Sequence, residues 1–177
     1  MRVIGGEYRS RALKSPPGMD TRPTPDRLRE ALFNILSPRI AGAVFVDAYG
    51  GCGSVGIEAL SRGARQAIFI ERSRGNVALI QDNLRTLRAE HRARVIHGSV
   101  TTYLGSIVAD IYFLDPPYER VPEYEIAMRL LERREGALII AQHASREKLA
   151  DEYGALRRTR IVKQGDNSLS FYAAAGV

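Results

Sequence analysis

Two kinds of hydrophobic pattern alternate along this chain of 177 residues. Short, largely apolar runs of strand length are separated by stretches whose apolar positions recur every three to four residues, as on one face of a helix. The predicted strands are residues 43–48, 67–71, 94–98, 111–115, 137–142, 156–163 and 168–174. The predicted helices cover about 24–36, 54–62, 74–90 and 123–134, with a weaker helical patch at about 100–105.

The first of these helices, "TPDRLREALFNIL", has recognisable signals at its ends. Thr24 suits an N-cap and Pro25 suits the first turn, and an apolar stripe follows from Leu28. "SPRIAG" (37–42) is predicted to end the helix. The residues before it, 1–22, are predicted to form a short β-hairpin or arm, broken by "SPPG".

Strands that alternate with helices predict an α/β fold, a doubly wound and mostly parallel sheet of seven strands with helices on both faces. The last two strands are joined by the short turn "QGDN", so they must be antiparallel. Sheets of this kind bind ligands at the carboxyl ends of their strands. We therefore expect the functional site in the loops that follow strands one, two and four.

Composition narrows the class of protein. A hydrophobic content of 45% and a charged content of 26% are ordinary for one globular domain. A single cysteine, Cys52, excludes an internal disulfide framework, and three scattered histidines offer no metal-ligand spacing, so we expect no metal. No apolar run approaches a membrane span, and the start of the chain lacks an apolar signal segment. The expectation is a cytoplasmic protein without membrane contact.

Positive charge is concentrated at the front of the chain. Residues 1–42 carry eight lysines and arginines against four acidic residues, and so hold +4 of the net charge of +6. We predict that 1–42 is a basic N-terminal arm and helix that contacts a polyanion, and that 43–177 is the catalytic domain. The alternative is a solvated basic surface with local ion pairs.

The loop after the first strand contains Gly51, Gly53 and Gly56 in the spacing G-x-G-x-x-G. Such glycines let the backbone approach a ligand, and the helix amino end that follows favours negative charge. Glu71, about 20 residues further on at the tip of strand two, suits the hydroxyl groups of an adenosine ribose. NAD and S-adenosylmethionine fit this pattern equally well.

Asp47, just before the glycines, favours S-adenosylmethionine. A carboxylate would repel the pyrophosphate of NAD, whereas the sulfonium and ammonium groups of S-adenosylmethionine are cations. Asp47 as a cap of the following turn or helix is the structural alternative. We interpret Cys52 as a small packing residue, because no histidine lies near it in sequence.

The most informative segment is Asp115-Pro116-Pro117-Tyr118, at the end of strand four. Two prolines stop a central strand and present rigid carbonyl acceptors, Asp115 adds a charged acceptor, and Tyr118 adds a flat apolar face. These groups suit a planar ring with an exocyclic amino group. The carboxylate and a proline carbonyl would accept hydrogen bonds from the two N–H groups of that amino group. The alternative is a turn that merely ends the strand.

"DPPY" behind a glycine loop resembles amino-methyltransferases of nucleic-acid bases or glutamine. "MRVIGGEYRSRAL", "TRPTPDRLREALFNIL", "GIEALSRGA" and "LDPPY" together resemble the bacterial RsmD family, which methylates a guanine exocyclic nitrogen in small-subunit (16S) ribosomal RNA. The resemblance covers roughly residues 1–120. It implies a Rossmann-like class I methyltransferase, S-adenosylmethionine as the donor, and no metal.

The resemblance assigns roles to single residues. Asp47, Gly51 and Gly53 would hold the methionine end of the cofactor, and Glu71 the ribose. After strand three the family often has Asn or Asp near the adenine, and this chain has Ser99.

At the DPPY segment, the resemblance implies that Asp115 and Pro116 bind the target amino group and that Tyr118 stacks on the base. These three are the predicted catalytic residues.

Five basic residues of the front segment are predicted to bind RNA. Arg9, Arg11 and Lys14 are placed on the arm to hold phosphates, while Arg22 and Arg27 accompany the first helix. Arg27, beside the Leu28 stripe, is expected to face inward, toward the cofactor mouth or the sheet. The expected partner is ribosomal RNA, free or within a small-subunit ribonucleoprotein, and a monomer is expected.

Three alternatives stay open from the residues. The same chemistry would serve adenine in DNA or RNA, or a protein glutamine. An NAD-binding Rossmann protein would need "DPPY" to be only a turn. A non-catalytic RNA-binding module would need neither Glu71 nor Asp115.

Overall fold

The computed structural model describes residues 1–17, 24–117 and 121–174. The helices are α1 (Asp26–Ile40), α2 (Ser54–Ser61), α3 (Arg74–Thr86), α4 (Val100–Tyr103) and α5 (Val121–Leu131). The strands are β1 (Val44–Asp47), β2 (Gln66–Glu71), β3 (Ala93–His97), β4 (Ile111–Leu114), β5 (Leu138–Ala144), β6 (Glu152–Tyr153), β7 (Leu156–Gln164) and β8 (Asn167–Ala174). None of the helices in the described ranges is long and apolar enough to cross a membrane.

The strands form one twisted sheet in the order β3-β2-β1-β4-β5-β8-β7-β6. The first five strands in the chain pair in parallel, and β8 runs antiparallel between β5 and β7. The predicted doubly wound α/β fold with a final antiparallel pair is therefore confirmed. The sheet has one more strand than predicted, because two residues before the Gly154 turn pair with the start of β7 as β6.

Side chains alternate between the two faces of the sheet, and each face has its own core. Phe45, Phe113 and Ile140 pack under α1 and α2, whereas Val46, Leu114 and Ile139 pack against α4 and α5. Asp47 follows Val46 and so returns to the α1 face. Asp47, a predicted functional residue at the carboxyl end of β1, therefore lies on the face of the sheet that α1 covers.

Helix α1 differs from the prediction at both ends. Its N-cap is Pro25 and no side chain caps it, so the prediction of Thr24 as N-cap is wrong. It also continues through Pro38 to Ile40, beyond the predicted stop. Proline removes a hydrogen bond from a helix. Here it falls in the last turn, where Ile40 is almost completely buried and keeps the turn helical.

The N-terminal arm folds as a tight hairpin with a single antiparallel bridge, Arg2↔Ala12. Three apolar side chains of the arm, Val3, Tyr8 and Leu13, are buried in a core that they share with α2, α3 and β2. The arm is therefore packed on the body of the molecule.

A buried carboxylate on α2 fixes the arm. Glu58 is fully buried and accepts hydrogen bonds from the backbone N–H groups of Ile4 and Gly5, both at 2.9 Å. Arg62 pairs with it at 3.0 Å and Arg29 at 3.6 Å. Neutralisation by two arginines and two amides is what allows a carboxylate to lie in the interior.

The expectation that Arg27 faces inward is wrong. Arg27 is exposed, and the buried arginine of this helix is Arg29, whose side chain is fully enclosed. Its guanidinium reaches the backbone carbonyl of Arg2 at 2.6 Å as well as Glu58. The fold buries this arginine because Glu58 and the arm provide its partners.

Candidate active site

A cavity of about 160 Å³ opens at the carboxyl edge of the sheet, where the arm, the loop after β1 and the end of β4 meet. It is lined by Ser15, Pro16, Thr24, Asp47, Tyr49, Gly50, Gly51, Cys52, Ser54, Val55, Asn76, Phe113 and Asp115. The lining comes from the ends of β1 and β4, from the glycine loop, from the first turns of α2 and α3, and from the segment before α1. Of the predicted site residues, the cavity brings together Asp47, Gly51 and Asp115.

Each glycine of the loop meets a separate requirement. Gly51 and Gly53 have φ angles of +58° and +88°, a left-handed backbone that other residues adopt at a cost. A Cβ on Gly51 would meet no atom of the described residues within 4 Å, so the backbone is open to a ligand there. A Cβ on Gly56 would lie 2.3 Å from the Phe69 ring, so this glycine lets α2 pack closely on β2.

Asp47 caps the helix that follows the loop. Its Oδ2 accepts a hydrogen bond of 3.1 Å from the backbone N–H of Gly56, in the first turn of α2. The side chain is only 2% exposed. Burial raises the pKa of Asp47 well above its usual range, and the nearby carboxylates of Asp115 and Glu71 add to the effect. A cation placed beside Asp47 would favour its charged form.

Glu71 ends β2, and a neighbour on α3 orients it. The Asn76 side-chain amide donates to Glu71 Oε1 at 3.2 Å, and Asn76 itself lines the cavity. Ser73 caps α3 by accepting from the Asn76 backbone N–H at 3.3 Å. The cap and the amide together hold the Glu71 carboxylate at the margin of the cavity.

Ser99 lies after β3, the strand next to Glu71. The backbone N–H of Gly98 donates to the Glu71 carbonyl at 2.9 Å, which brings this turn beside the end of β2. The Ser99 hydroxyl is hydrogen-bonded to the hydroxyls of Thr101 and Thr102, at 2.8 and 3.1 Å. Ser99, Gly53 and Glu71 are not among the residues that line the cavity.

Asp115 and Pro116 directly follow the last residue of β4. Asp115 is half-buried at the cavity, Pro116 is buried, and burial raises the pKa of Asp115 to about 7. The carboxyl group therefore exchanges its proton near neutral pH. The predicted stacking residue Tyr118 and the predicted RNA-binding residue Arg22 lie outside the described residues.

The remaining predicted RNA-binding residues, Arg9, Arg11, Lys14 and Arg27, are all exposed. Arg11 donates to the Thr86 carbonyl at 3.2 Å, and Lys14 lies 3.9 Å from Asp82. These contacts are exposed and cost little to exchange for a ligand. The arm leads directly from these cations into the cavity, since the residues after Lys14 line its wall.

Asn83 on α3 joins the arm to the glycine loop and was missed in the sequence. Its side-chain amide donates to the carbonyls of Lys14 and Cys52, both at 3.0 Å, and accepts from the Lys14 backbone N–H at 2.8 Å. It is 2% exposed. The available signal was an asparagine inside an amphipathic helix, but its hydrogen-bond partners lie 69 and 31 positions away.

Tyr49 and Asn76 line the cavity and were also missed in the sequence. Tyr49 in the glycine loop donates to Glu123 of α5 at 3.2 Å, and burial raises its pKa. Asn76 lies five positions after Glu71, within the first turn of the next helix. That spacing was a usable signal for Asn76, whereas nothing local marks Tyr49.

The sheet order and the glycine loop after its first strand are those of a Rossmann-like methyltransferase. Solved structures support this class. A structure titled putative methyltransferase yhhF from Escherichia coli is similar over 100% of this chain and 99% of its own, with a TM-score of 0.85 and 32% identity. A putative methylase from Haemophilus influenzae, HI0767, is similar over 97% and 96%, with a TM-score of 0.79 and 30% identity.

Sequence comparison identifies the family. The profile of the family described as conserved hypothetical protein 95 matches residues 1–173. The putative rRNA methyltransferase YlbH of Bacillus subtilis is 32% identical over 99% of this chain and 100% of its own length. The ribosomal RNA small subunit methyltransferase D of E. coli is 42% identical over 68% of this chain and 61% of its own. The chain belongs to this family, the RsmD family, as its motifs predicted.

Proposed function

We propose that this chain transfers a methyl group from S-adenosylmethionine to the exocyclic amino group of a guanine in small-subunit (16S) ribosomal RNA. The observation that carries the proposal is the shared cavity, in which Asp115 of the proline turn lies with Asp47 and Gly51 of the glycine loop. The relatives named as rRNA methyltransferases support RNA as the substrate.

The residues around the cavity fit S-adenosylmethionine. Asp47 is a buried carboxylate without a cationic partner among the described residues, and the ammonium group of the cofactor would favour its charged form. Gly51 and Gly53 would let the methionine end approach the backbone, and Glu71, already oriented by Asn76, would accept from the ribose hydroxyls. Ser99, on the turn beside Glu71, is assigned to the adenine end.

When bound, the cofactor supplies an electrophilic methyl group on a cationic sulfur. The task left to this chain is to hold the target amino group. The Asp115 carboxylate and the Pro116 carbonyl would accept hydrogen bonds from its two N–H groups. These bonds would turn its lone pair toward the methyl carbon and stabilise the positive charge that develops on nitrogen. We assign stacking on the base to Tyr118.

Atoms and charge balance in this step. The amino nitrogen held by Asp115 and Pro116 would form a bond to the methyl carbon while the carbon–sulfur bond broke, with its electron pair left on sulfur. The nitrogen then sheds one proton. Asp115, whose pKa burial raises to about 7, is suited to accept that proton and pass it to water.

We assign RNA contact to the basic segment 1–42 and catalysis to 43–177. Arg9, Arg11, Lys14, Arg22 and Arg27 would hold phosphates or stack on unpaired bases. The target guanine must leave its stack to reach the cavity. The proposed partner is ribosomal RNA, free or within a small-subunit ribonucleoprotein, and the chain would act as a monomer in the cytoplasm.

The deciding experiment is transfer of a tritiated methyl group to 16S RNA and to partly assembled subunits, followed by nucleoside analysis. We expect N2-methylguanosine. Asp115→Ala should abolish single-turnover methylation and leave cofactor affinity within a few-fold, and Asp115→Asn should retain more activity than alanine. Asp166→Asn, an exposed aspartate in the β7–β8 turn, is the matched control.

Other outcomes would replace the proposal. If the tritium were found in N6-methyladenosine or in protein glutamine, the reaction would still be methyl transfer to an amino group, but the substrate would differ from the one proposed. Binding of NADH in place of S-adenosylmethionine would indicate an NAD-binding Rossmann protein. Near-normal methylation by Asp115→Ala would remove the proline turn from the mechanism.

A further inference from the structure

Gln142 on β5 has a buried acceptor that the fold leaves unused. The residue is 6% exposed, and its side-chain oxygen Oε1 accepts no hydrogen bond from the residues that the structure describes. Its backbone carbonyl is satisfied, since it accepts from the Tyr124 hydroxyl. Buried polar atoms nearly always have a hydrogen-bond partner, so an orphan calls for an explanation.

The sheet places Gln142 beside Asp115. Strands β4 and β5 are parallel, and their last registered pair is Leu114↔Ala141. Asp115 directly follows β4, and Gln142 is the next residue of β5, where neighbouring strands lie about 4.8 Å apart. Gln142 is not among the residues that line the cavity itself.

Alternation puts both side chains on the same face. Phe113 and Ile140, two positions earlier on each strand, pack together under α1. Asp115 and Gln142 therefore continue the row that Phe113 begins, on the face that also carries Asp47. His143, one position later, faces the other side and pairs with Ser170 at 2.8 Å.

Two other buried polar groups that lack a hydrogen bond have a structural explanation. Arg29 is ion-paired with Glu58 in the arm cluster. Arg134 has an unpaired Nε, but its Nη2 donates to the Gly105 carbonyl beside a separate surface pocket. Gln142 differs from both because it lies next to the proposed amino-group acceptor.

Guanine carries its amino group directly beside a second donor, the N1–H. Adenine and 2-aminopurine have an unprotonated N1, which is an acceptor. When Asp115 and Pro116 hold the amino group, the neighbouring N1–H needs an acceptor next to Asp115. A side chain that accepts a hydrogen bond from the N1–H would discriminate guanine from purines without an N1–H. Those purines would leave the buried acceptor without a hydrogen-bond partner.

We propose that Gln142 Oε1 accepts the N1–H of the target guanine and so makes the site selective for guanine. This inference rests on the proposed methyl transfer to guanine and adds the residue that identifies the base. Gln142 is thus a specificity-determining residue that touches the substrate.

The test compares two RNAs that differ at one base. The RNA that accepts methyl groups from the wild-type protein is rebuilt with guanosine or with 2-aminopurine riboside at the target position, and single-turnover rates are measured. The wild type should prefer guanosine by about tenfold to a hundredfold, the worth of one hydrogen bond in a buried site. Gln142→Met, of similar volume but without the amide oxygen, should lose most of that preference.

Two further variants sharpen the comparison. Gln142→Glu keeps an acceptor and should retain the preference for guanosine. Gln66→Leu removes an amide at the amino end of β2, the opposite edge of the sheet, and should behave as wild type. Cofactor affinity and the melting temperature report whether each variant is folded, and Gln142→Leu serves if Gln142→Met is not.

The inference and the proposed function fail separately. A folded Gln142→Met variant that keeps the full preference for guanosine would overturn the inference, as would a wild type that methylates both RNAs equally. In both cases methylation of guanosine would leave the proposed function standing. A wild type that methylates no guanosine RNA would remove the proposed function and this inference with it.

Discussion

Asp115 holds its proton at a pH where an ordinary aspartate has lost it, because burial raises its pKa to about 7. The carboxylate is the form that accepts both the amino hydrogen bond and the departing proton. We therefore expect kcat/KM to rise about tenfold per pH unit below about pH 7 and to level off above it. Asp115→Asn should flatten that limb of the profile, and a wild-type profile that is flat from pH 5.5 to 8 would contradict the assignment.

The same group makes stability depend on pH. Asp115 titrates near 3.8 when unfolded and at about 7 when folded, so between these values the native state binds the proton that the unfolded state releases. The contribution of Asp115 to the free energy of unfolding is thus greatest at low pH and is lost as pH rises toward 7. Asp115→Asn should gain melting temperature relative to wild type from pH 5 to pH 8, by several degrees. A constant difference would show that Asp115 is solvated.

Glu71 tests the cofactor assignment. Glu71→Ala should weaken S-adenosylmethionine binding by about tenfold to a hundredfold, because a buried ribose would lose a charged acceptor worth about 1.5–3 kcal/mol. Calorimetry measures the affinity, and Glu90→Ala, an exposed glutamate at the start of a short 3-10 turn, is the control. Unchanged affinity in Glu71→Ala would remove Glu71 from the site.

Sequence patterns located the carboxylates but not the arginines. Asp47, Glu71 and Asp115 each stand at the end of a strand, and parallel strands bring their carboxyl ends to one edge. Arg27 and Arg29 are two positions apart on a helix and have no such marker. Which of them is buried depends on Glu58, which lies on another element.

At the scale of elements, hydrophobic spacing predicted where helices and strands exist, and tertiary contacts set their ends. Helix α1 passes Pro38 because Ile40 has a buried place to fill. Strand β6 has only two residues, too few for a pattern, and it forms because Gly154 turns the chain back on itself.

Gly6 tests how closely the arm packs on α2. Its φ angle is +79°, and a Cβ there would lie 1.9 Å from the Ser61 carbonyl oxygen. Gly6→Ala should destabilise the protein by about 1–2 kcal/mol of backbone strain and a further 1–3 kcal/mol of overpacking. Denaturant unfolding gives the value.

Gly136→Ala is the matched control for Gly6. It has nearly the same φ angle, +77°, but open space around the added Cβ, so it should show the strain alone. Equal losses of stability in the two variants would mean that the arm moves aside without cost.

At the scale of the whole molecule, charge separates the arm from the body. Changing Arg9, Arg11 and Lys14 together to alanine should weaken RNA binding and leave cofactor affinity unaltered. The slope of log K against log salt should become shallower by about two to three units, since each phosphate contact contributes slightly under one. Filter binding across a salt series measures it.

The control for this triple variant removes three charges from the other end of the sheet. Arg157, Arg160 and Lys163 on β7 are exposed, and their change to alanine should leave the slope nearer to wild type. Equal changes in slope for the two triple variants would show a general charge effect and not a site on the arm.

The order in which the chain is made has a consequence for the arm. The residues that bury Val3, Tyr8 and Leu13 come from α2, β2 and α3. Glu7 on the arm accepts a hydrogen bond from Arg92, which lies 85 positions later in the sequence. At a synthesis rate of about 5–20 residues per second, the last of these partners is made roughly 4–17 s after the arm. During that interval the basic arm is an unfolded cationic segment with exposed apolar groups. The first residues of the molecule to be made therefore acquire their native contacts only after the chain has been made to about residue 92.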